Sequence, residues 1–486
     1  MFYKIKSFLF DNATMRQTVA KNVFWLSVSN FGGRFLRAAI IIYGARVLGT
    51  TEWGIFSYAI SLVTFITVFV DAGVSQILVR EFSKTPDPIS QRQVISTSFL
   101  LKGALILIGV LGIVWLGPFL TSIEGVKALL PIVAFIFAFD NVREFGFSIV
   151  RASEKMQWEA GLYLLTNLAI VVFGFVFLRL SATVGAFTFA YALGTAVGMI
   201  ATLYAVRKKL MGLFSNFKFA ILRSILSSGW PLAISAVLGM LMINTDILLI
   251  GFFQSAHDVG LYSAAQRIVQ LLYILPAVIN VSLLPSFSRL AHKEDEKLQR
   301  ILELTVPFTF LIAIPIAVGG ILLGGQIIEF IFGNSYLDGT SSFQILLLTI
   351  LIDFPVAILT NVAFAYGKQK SLMIYSGIGG LSNIILDLIL IPRFGIVGSA
   401  WATLFAQVLS VAYLWRVIRS VSRPKVLPHL KKIIVSTGIM AVVVILATLT
   451  GAHVITATLA GIVVYTGMLF LFKEPLLKEI KSISAV

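Results

Sequence analysis

Cysteine is absent from this sequence of 486 residues, and charged residues are scarce. Without cysteine the chain has no disulfide, no thiol nucleophile and no thiolate ligand for a metal. Lys, Arg, Asp and Glu make up 12% of the residues, whereas about a quarter is usual in soluble domains. No Gly-rich phosphate-binding loop occurs, so direct coupling to ATP is not expected. The histidines are too scattered for a metal site: His257, His292, His429 and His453.

The chain is instead rich in apolar residues. They make up 58% of the chain, its mean hydropathy is +0.96, and they recur in runs long enough to cross a bilayer as helices. The sequence therefore predicts an all-α polytopic membrane protein with 14 transmembrane helices. We place their centres near residues 34, 67, 106, 139, 169, 194, 239, 273, 312, 353, 381, 406, 441 and 462.

The basic residues predict the orientation. If the N-terminus lies in the cytoplasm, the cytoplasmic segments hold 29 of the 38 Lys and Arg residues, and the outer segments hold four. Such a bias is typical of loops that stay inside. We therefore expect both termini in the cytoplasm and a multi-pass protein of the cell (inner or plasma) membrane. The same bias explains the net charge of +16 without a nucleic-acid partner.

Two short matches indicate an internal repeat. The stretch 52–57 (EWGIFS) resembles 258–263 (DVGLYS), and 183–186 (TVGA) resembles 396–399 (IVGS). Matches in the same order and at similar spacing are typical of transporters built from two halves. We expect an N-terminal six-helix bundle (1–206), a cytoplasmic linker (207–222), a C-terminal six-helix bundle (223–420) and two additional helices (421–486). The bundles form a pseudo-two-fold repeat around a central cavity.

The first long apolar helix carries cations in its interior. Asn30, Arg34 and Arg37 follow each other at i, i+4 and i+7, so they share one helix face. A cation near the middle of a bilayer costs roughly 2.5–3.5 kcal/mol on insertion scales, so these arginines are candidates for a functional site. We interpret this face as one wall of a water-accessible cavity that receives an anion.

The layout of six, six and two helices resembles a known family. The residues that carry the resemblance are 46–49 (RVLG) with 52–56 (EWGIF) at the first outer turn, and 71–73 (DAG) late in the second helix. They are similar to the lipid-linked oligosaccharide flippases of the multidrug/oligosaccharidyl-lipid/polysaccharide exporter superfamily, also called polysaccharide biosynthesis proteins or O-antigen flippases. The resemblance implies a transporter, not an enzyme. It implies that two bundles rock by alternating access and move a polyprenyl-diphosphate-linked oligosaccharide to the outer leaflet.

Other functions stay open at this point. A multidrug or small-molecule cation-coupled exporter of the same superfamily would need an acidic pocket, and a peptidoglycan lipid-precursor flippase would carry a related cargo. A glycosyltransferase or polymerase would need a sizeable outer loop, and the outer loops are short. Expected partners are the lipid-linked oligosaccharide, membrane lipids and polymerase or glycosyltransferase machinery, with the protein a monomer. No cofactor is expected, and a gradient of H⁺ or Na⁺ or the membrane potential could drive transport.

The remaining charges and amides inside the spans complete the predicted sites. Arginine binds phosphate oxygens through paired donors of fixed geometry. The predicted residues for the diphosphate and sugar are Arg34, Arg37, Asn30, Arg143, Arg267 and Gln270. The predicted residues for ion coupling or gating are Asp71, Asp140, Glu144, Asp246 and Asp353.

Each of these charges also has a structural alternative. The arginines of the first helix could pair with Asp71 or Asp140, and Asp71 could pair with Lys102 or Arg80. Asp140, Arg143 and Glu144 could neutralise one another along one helix. In the second half, Asp246 could pair with Arg267, and Asp387 could form a surface pair with Arg393. The pair Gly32–Gly33 is the best candidate for a bend beside the site.

Overall fold

The computed structural model describes residues 15–71, 73–84, 87–214, 216–276, 287, 289–291, 295–424 and 426–476. Within these residues the regular secondary structure is helical. The helices of the first half are α1 (Met15–Asp71), α2 (Val74–Lys84), α3 (Pro88–Leu111), α4 (Glu124–Ala152), α5 (Met156–Leu180) and α6 (Val184–Val206). Those of the second half are α7 (Phe219–Phe253), α8 (Ala256–Leu272), α9 (Asp295–Leu322), α10 (Gly324–Phe332), α11 (Thr340–Leu348), α12 (Ile350–Ala365), α13 (Gln369–Arg419), α14 (Leu427–Leu449) and α15 (Val454–Leu471).

The helices confirm a multi-pass membrane protein. In the described part of the chain, ten helices are long and apolar enough to cross a bilayer. The bent pair Phe219–Trp230 and Ala233–Met242, which meet at 41°, raises the number to eleven. The predicted count of fourteen stays a prediction. Part of the predicted eighth span, centred near residue 273, falls on 277–286, outside the described residues.

Two helices are much longer than one crossing requires. α1 has 57 residues and α13 has 51, about 85 and 77 Å at the α-helical rise, whereas the hydrocarbon core is about 30 Å thick. Each contains one glycine with non-helical backbone, Gly49 at φ 74° and Gly395 at φ 58°. Positive φ strains side chains with a Cβ, so glycine permits a kink at each position.

The chain divides into two compact units. One comprises Met1–Met240 with Ser255–His257, and the other Leu241–Gln254 with Asp258–Val486. Residues 207–222, the predicted linker, lie inside the first unit. The predicted domain bounds themselves stay a prediction.

Aromatic packing organises the first unit. Trp53 is fully buried, and the ring of Phe56 lies 4.7 Å from that of Phe187 on α6. In the second unit, α9 shares one apolar cluster with α12 and α13 and a second one with α14 and α15. Tyr465 joins the second of these contacts by donating to the carbonyl of Leu311 at 2.7 Å.

The predicted bend at Gly32–Gly33 is wrong. α1 stays helical through both residues, and its non-helical residue is Gly49. A Cβ added to Gly33 would lie 2.2 Å from Cε1 of Tyr163 on α5. Glycine is therefore required here because an aromatic ring of α5 packs directly on the α1 backbone.

Candidate functional site

The residues on the polar face of α1 (Asn30, Arg34 and Arg37) differ in exposure and in their hydrogen-bond partners. Asn30 is exposed, and its Nδ2 donates to the carbonyl of Leu26 on the same helix at 2.9 Å. Arg34 is exposed and, among the described residues, makes no hydrogen bond or ion pair. Within the same residues neither Arg34 nor Arg37 pairs with Asp71 or Asp140. The structural alternative for these two arginines is therefore not the arrangement observed.

Arg37 is half-buried and held by α5. Its Nε donates to Oδ1 of Asn167 at 3.2 Å, and Nδ2 of Asn167 donates to the carbonyl of Tyr163 at 2.8 Å. This chain of contacts fixes the guanidinium against one neighbouring helix. Tyr191 and Asp140 are among its electrostatic neighbours. Arg37 is thus positioned chiefly by a neutral amide, which leaves its charge uncompensated by a direct ion pair.

Arg143 on α4 joins the same constellation. Its Nη2 lies 2.9 Å from Oδ1 of Asp140, and its guanidinium lies 5.5 Å above the ring of Phe147. The side chain is buried, yet its Nε and Nη1 have no hydrogen-bond partner among the described residues. Buried donors normally find an acceptor, so two unused donors mark a place for an anion or water. Tyr191 is an electrostatic neighbour of Arg37, Asp140 and Arg143, and so ties the group together.

Glu144 takes part in a different network. It does not complete the predicted self-neutralising cluster with Asp140 and Arg143. Instead, its Oε1 lies 2.8 Å from Nη1 of Arg151, whose Nη2 lies 2.5 Å from Oε1 of Glu159. Arg151 therefore bridges a glutamate of α4 and a glutamate of α5, apart from the constellation around Tyr191.

Asp71 pairs with Lys102, one of its two predicted alternatives. Nζ of Lys102 lies 2.6 Å from Oδ1 of Asp71, which also accepts a hydrogen bond from Ser75 at 2.5 Å. Lys102 is buried, so the pair joins α1 to α3 inside the first unit. Arg80, the other alternative, lies beside Glu81.

The second unit contains a buried carboxyl group at Asp246 on α7. The predicted pair of Asp246 with Arg267 is wrong. Oδ2 of Asp246 accepts from the hydroxyl of Tyr262 at 2.6 Å and from Thr403 at 2.9 Å, while Arg267 donates to Gln270 at 3.2 Å. Asp246 is therefore hydrogen-bonded by hydroxyl groups from α8 and α13 and not by the predicted cation.

Asp387 lies next to Asp246 and was not among the residues predicted for ion coupling. The predicted surface pair of Asp387 with Arg393 is wrong, because Asp387 is 0% exposed while Arg393 is exposed. Asp246 is its electrostatic neighbour. Within the described residues both carboxyl oxygens of Asp387, and both amide atoms of Asn383 one turn earlier, lack a hydrogen-bond partner. The spacing of four residues between Asn383 and Asp387 was the available signal.

Asp353 is separate from this pair. It lies on α12 and its Oδ2 accepts from Nε2 of Gln407 on α13 at 3.1 Å. Tyr273 is a further polar neighbour. The structure therefore brings Arg37, Asp140 and Arg143 together in the first unit, whereas Asp246 and Asp353 occupy separate positions in the second.

The chain is similar in sequence to known protein families and to individual transporters. A family model described as polysaccharide biosynthesis protein matches residues 19–291, and one described as MatE matches 231–389. A probable flippase, AglR of Haloferax volcanii, is 27% identical over 440 residues, which cover 85% of this chain and 87% of that protein. A putative O-antigen transporter of Shigella flexneri is 25% identical over 413 residues, 79% of this chain and 93% of that protein.

Solved structures give the fold. The lipid II flippase MurJ in an inward closed conformation superposes with a TM-score of 0.80 at 22% identity, over 94% of this chain and all of that one. An inward-facing multidrug resistance transporter of the MATE family gives a TM-score of 0.65 at 16% identity, over 82% and 98% of the two chains. The helical architecture is thus similar to that of both transporters.

Proposed function

Because the chain belongs to the polysaccharide biosynthesis protein family, we propose that it is a flippase for lipid-linked oligosaccharides. It moves a polyprenyl-diphosphate-linked oligosaccharide from the cytoplasmic to the outer leaflet by alternating access, for the synthesis of surface polysaccharide. Relatives named as flippases and O-antigen transporters over most of their length support this function. The structural observation that carries it is the basic group of the first unit, with unused donors on buried Arg143.

In this proposal the chain crosses the membrane fourteen times, and both termini lie in the cytoplasm. The kinks at Gly49 and Gly395 allow α1 and α13 to cross the membrane twice each. Counting these two helices twice raises the eleven candidates to thirteen. The fourteenth is the predicted span centred near residue 273, of which α8 is the first part. One chain is the transport unit, and polymerase or glycosyltransferase machinery is its partner.

The diphosphate docks on the first unit. Arg34 is exposed, Arg37 is oriented by Asn167, and Arg143 has two donors unused. Guanidinium groups bind phosphate oxygens through paired hydrogen bonds, which suits a compact dianion. The acid closest to this group, Asp140, is already paired with Arg143. An exporter of cationic drugs would need the opposite charge here, so the flippase is favoured over that alternative.

Coupling to an ion is assigned to the second unit. Two carboxyl groups side by side in a buried site do not both stay ionised unless a cation or proton compensates them. Asp246 keeps the hydroxyl groups of Tyr262 and Thr403, whereas Asp387 has no hydrogen-bond partner in the described chain. The described residues hold no cluster of three His, Cys, Asp or Glu for a metal ion. A proton or Na⁺ on Asp387 fits this arrangement.

The test is binding of undecaprenyl diphosphate to the purified protein, followed by native mass spectrometry. The variants are Arg34→Ala and Arg37→Ala, and Arg80→Ala is the control because it removes the same charge from a surface pair. A lost charge-assisted hydrogen bond costs about 1.5–3 kcal/mol, which corresponds to roughly 10- to 150-fold in affinity. We expect that loss in both test variants and none in the control.

Uncharged undecaprenol and a cationic drug complete the experiment. If undecaprenol binds as well as the diphosphate, or if Arg80→Ala weakens binding as much as Arg37→Ala, the proposed docking site is wrong. Binding of the drug without binding of the diphosphate would reject the flippase function itself. Movement across the bilayer is then measured in proteoliposomes, with a fluorescent polyprenyl-diphosphate sugar and a membrane-impermeant quencher.

A further inference from the structure

A pocket of about 540 Å³ lies at one end of the first unit, away from the basic group around Tyr191. It is formed by the end of α4, the start of α5, and the end of α6 with the turn that follows. The positive-inside bias predicts that this end of the helices faces the cytoplasm. Four of the lining residues are basic: Lys155, Arg207, Lys208 and Lys209.

No acid lines this pocket within the part of the chain that the structure describes. The nearest carboxylates along α4 and α5, Glu144 and Glu159, are already paired with Arg151. Glu154 is exposed and lies outside the lining. Among the charged residues of the lining there are therefore only cations, and an anionic ligand would complement them.

Two of the four basic side chains, Lys209 and Arg207, are held in place by neighbouring groups. Nζ of Lys209 donates to Oγ of Ser153 and lies 4.7 Å above the ring of Phe82. Burial lowers the pKa of Lys209, and the positive charge of Lys155 adds to this effect. The guanidinium of Arg207 lies 3.7 Å above the ring of Tyr204, whose carbonyl accepts from its Nη1 at 2.9 Å. An anion bound here would offset the repulsion between these cations.

Most of the remaining lining is apolar. Ile149, Val150 and Leu162 form its inner wall. At its mouth, Trp158 and Tyr204 are 58% and 65% exposed. Large exposed aromatic residues at the end of a transmembrane helix are typical of the interface between headgroups and acyl chains. The pocket therefore offers cations at headgroup depth and an apolar surface directly beneath them.

We propose that this pocket binds a glycerophospholipid with an anionic headgroup, distinct from the transported cargo. The phosphate lies among Lys155, Arg207 and Lys208, and one acyl chain lies against the apolar wall. Basic pockets between transmembrane helices on the cytoplasmic side suit such headgroups. The site lies outside the basic group around Tyr191, so it does not depend on the proposed function.

The experiment titrates the full chain in detergent with palmitoyl-oleoyl phosphatidylglycerol, phosphatidylcholine of the same acyl chains, and inorganic phosphate. Native mass spectrometry counts the bound molecules. The test variant is Lys155→Gln/Arg207→Gln/Lys208→Gln, which spares Lys209 because that side chain packs inside the unit. The control removes three exposed arginines from the end of α13 and beyond it: Arg416→Gln/Arg419→Gln/Arg423→Gln.

We expect phosphatidylglycerol to bind the wild type and the control at least tenfold more tightly than phosphatidylcholine. A basic residue near an anionic headgroup contributes roughly fivefold, so the test variant should lose on the order of 100-fold at low salt. Size-exclusion chromatography and thermal unfolding in detergent verify that both variants are folded.

Three results would overturn the proposal. The first is equal binding of both phospholipids by the wild type, or unchanged phosphatidylglycerol binding by the folded test variant. The second is competition by inorganic phosphate as strong as that of the lipid, which would assign the pocket to free phosphate. The third is loss of undecaprenyl diphosphate binding in the test variant but not in Arg37→Ala, which would make the pocket a cargo site. Failure of the flippase proposal alone would leave the preference for phosphatidylglycerol intact.

Discussion

The buried ion pair of Lys102 and Asp71 allows a test of whether Asp71 stabilises the fold or takes part in ion coupling. The side chain of Lys102 is 2% exposed, that of Asp71 is 25% exposed, and their charged atoms lie 2.6 Å apart. Removing one partner of a buried pair leaves the other charge without compensation, at a cost of about 3–5 kcal/mol. We expect Asp71→Asn to reach that range because the remaining Lys102 is almost fully enclosed.

Lys102→Met should cost less, about 2–3 kcal/mol on the same scale. The remaining Asp71 is partly exposed and keeps its hydrogen bond from Ser75. The double variant Asp71→Asn/Lys102→Met removes both charges, so it should recover most of the lost stability. A coupling free energy of about 3 kcal/mol or more between the two sites is the expected result, at the upper end of the range for residues in contact.

Lys127 and Glu124 provide a matched control. Their charged atoms also lie 2.6 Å apart, but their side chains are 32% and 83% exposed. Exposed pairs contribute about 0–1 kcal/mol, so Lys127→Met should barely change the unfolding temperature. Thermal unfolding in detergent measures all five proteins, and flipping in proteoliposomes measures their function.

The outcome separates two roles of Asp71. If its pair with Lys102 is structural, the stable double variant still flips lipid. A double variant that folds as well as the wild type but does not flip would show that Asp71 serves ion coupling or gating. Equal costs for Lys102→Met and Lys127→Met would refute the argument from burial.

Three further predictions use the same assays. Gly33→Ala should destabilise the protein by about 1–3 kcal/mol, because its Cβ would lie 2.2 Å from the Tyr163 ring; Gly103→Ala, with no atom within 4 Å, is its control. Arg151→Met should lower the unfolding temperature clearly, since two glutamates lose their common partner; an unchanged temperature would show that this network is dispensable. Asp387→Asn should fold normally but flip at a rate insensitive to H⁺ and Na⁺ gradients, and retained gradient dependence would exclude Asp387 as the coupling group.

The sequence was sufficient for the class of fold and for the family. A run of about twenty apolar residues crosses a bilayer as an α-helix, because lipid offers no hydrogen-bond partners and the helix satisfies its backbone groups internally. The structure confirms a helical multi-pass protein, and the match over 19–291 confirms the family suggested by residues 46–56. The transport function agrees with the names of the relatives.

The partners of the charges were much harder to predict. Asp71 had two candidate cations, and only the packing of α1 on α3 selects Lys102 over Arg80. Asp246 and Thr403 are 157 residues apart, and nothing local in the sequence indicates that they meet. Which side chains pair between helices depends on how each helix is rotated about its axis and on how deep it lies in the membrane. The hydrophobic periodicity of a single helix determines neither of these.

Asp387 shows which local pattern deserved more weight. Near the end of a span, with Arg393 close in sequence, it looked like a surface residue. However, Asn383 and Asp387 are one turn apart before Gly395, and Ser399 and Thr403 are one turn apart after it. Polar side chains stacked on one face of an apolar helix are costly unless they face other polar groups. Two such pairs flanking one kink therefore predict a shared polar interior, and Asp246 completes it.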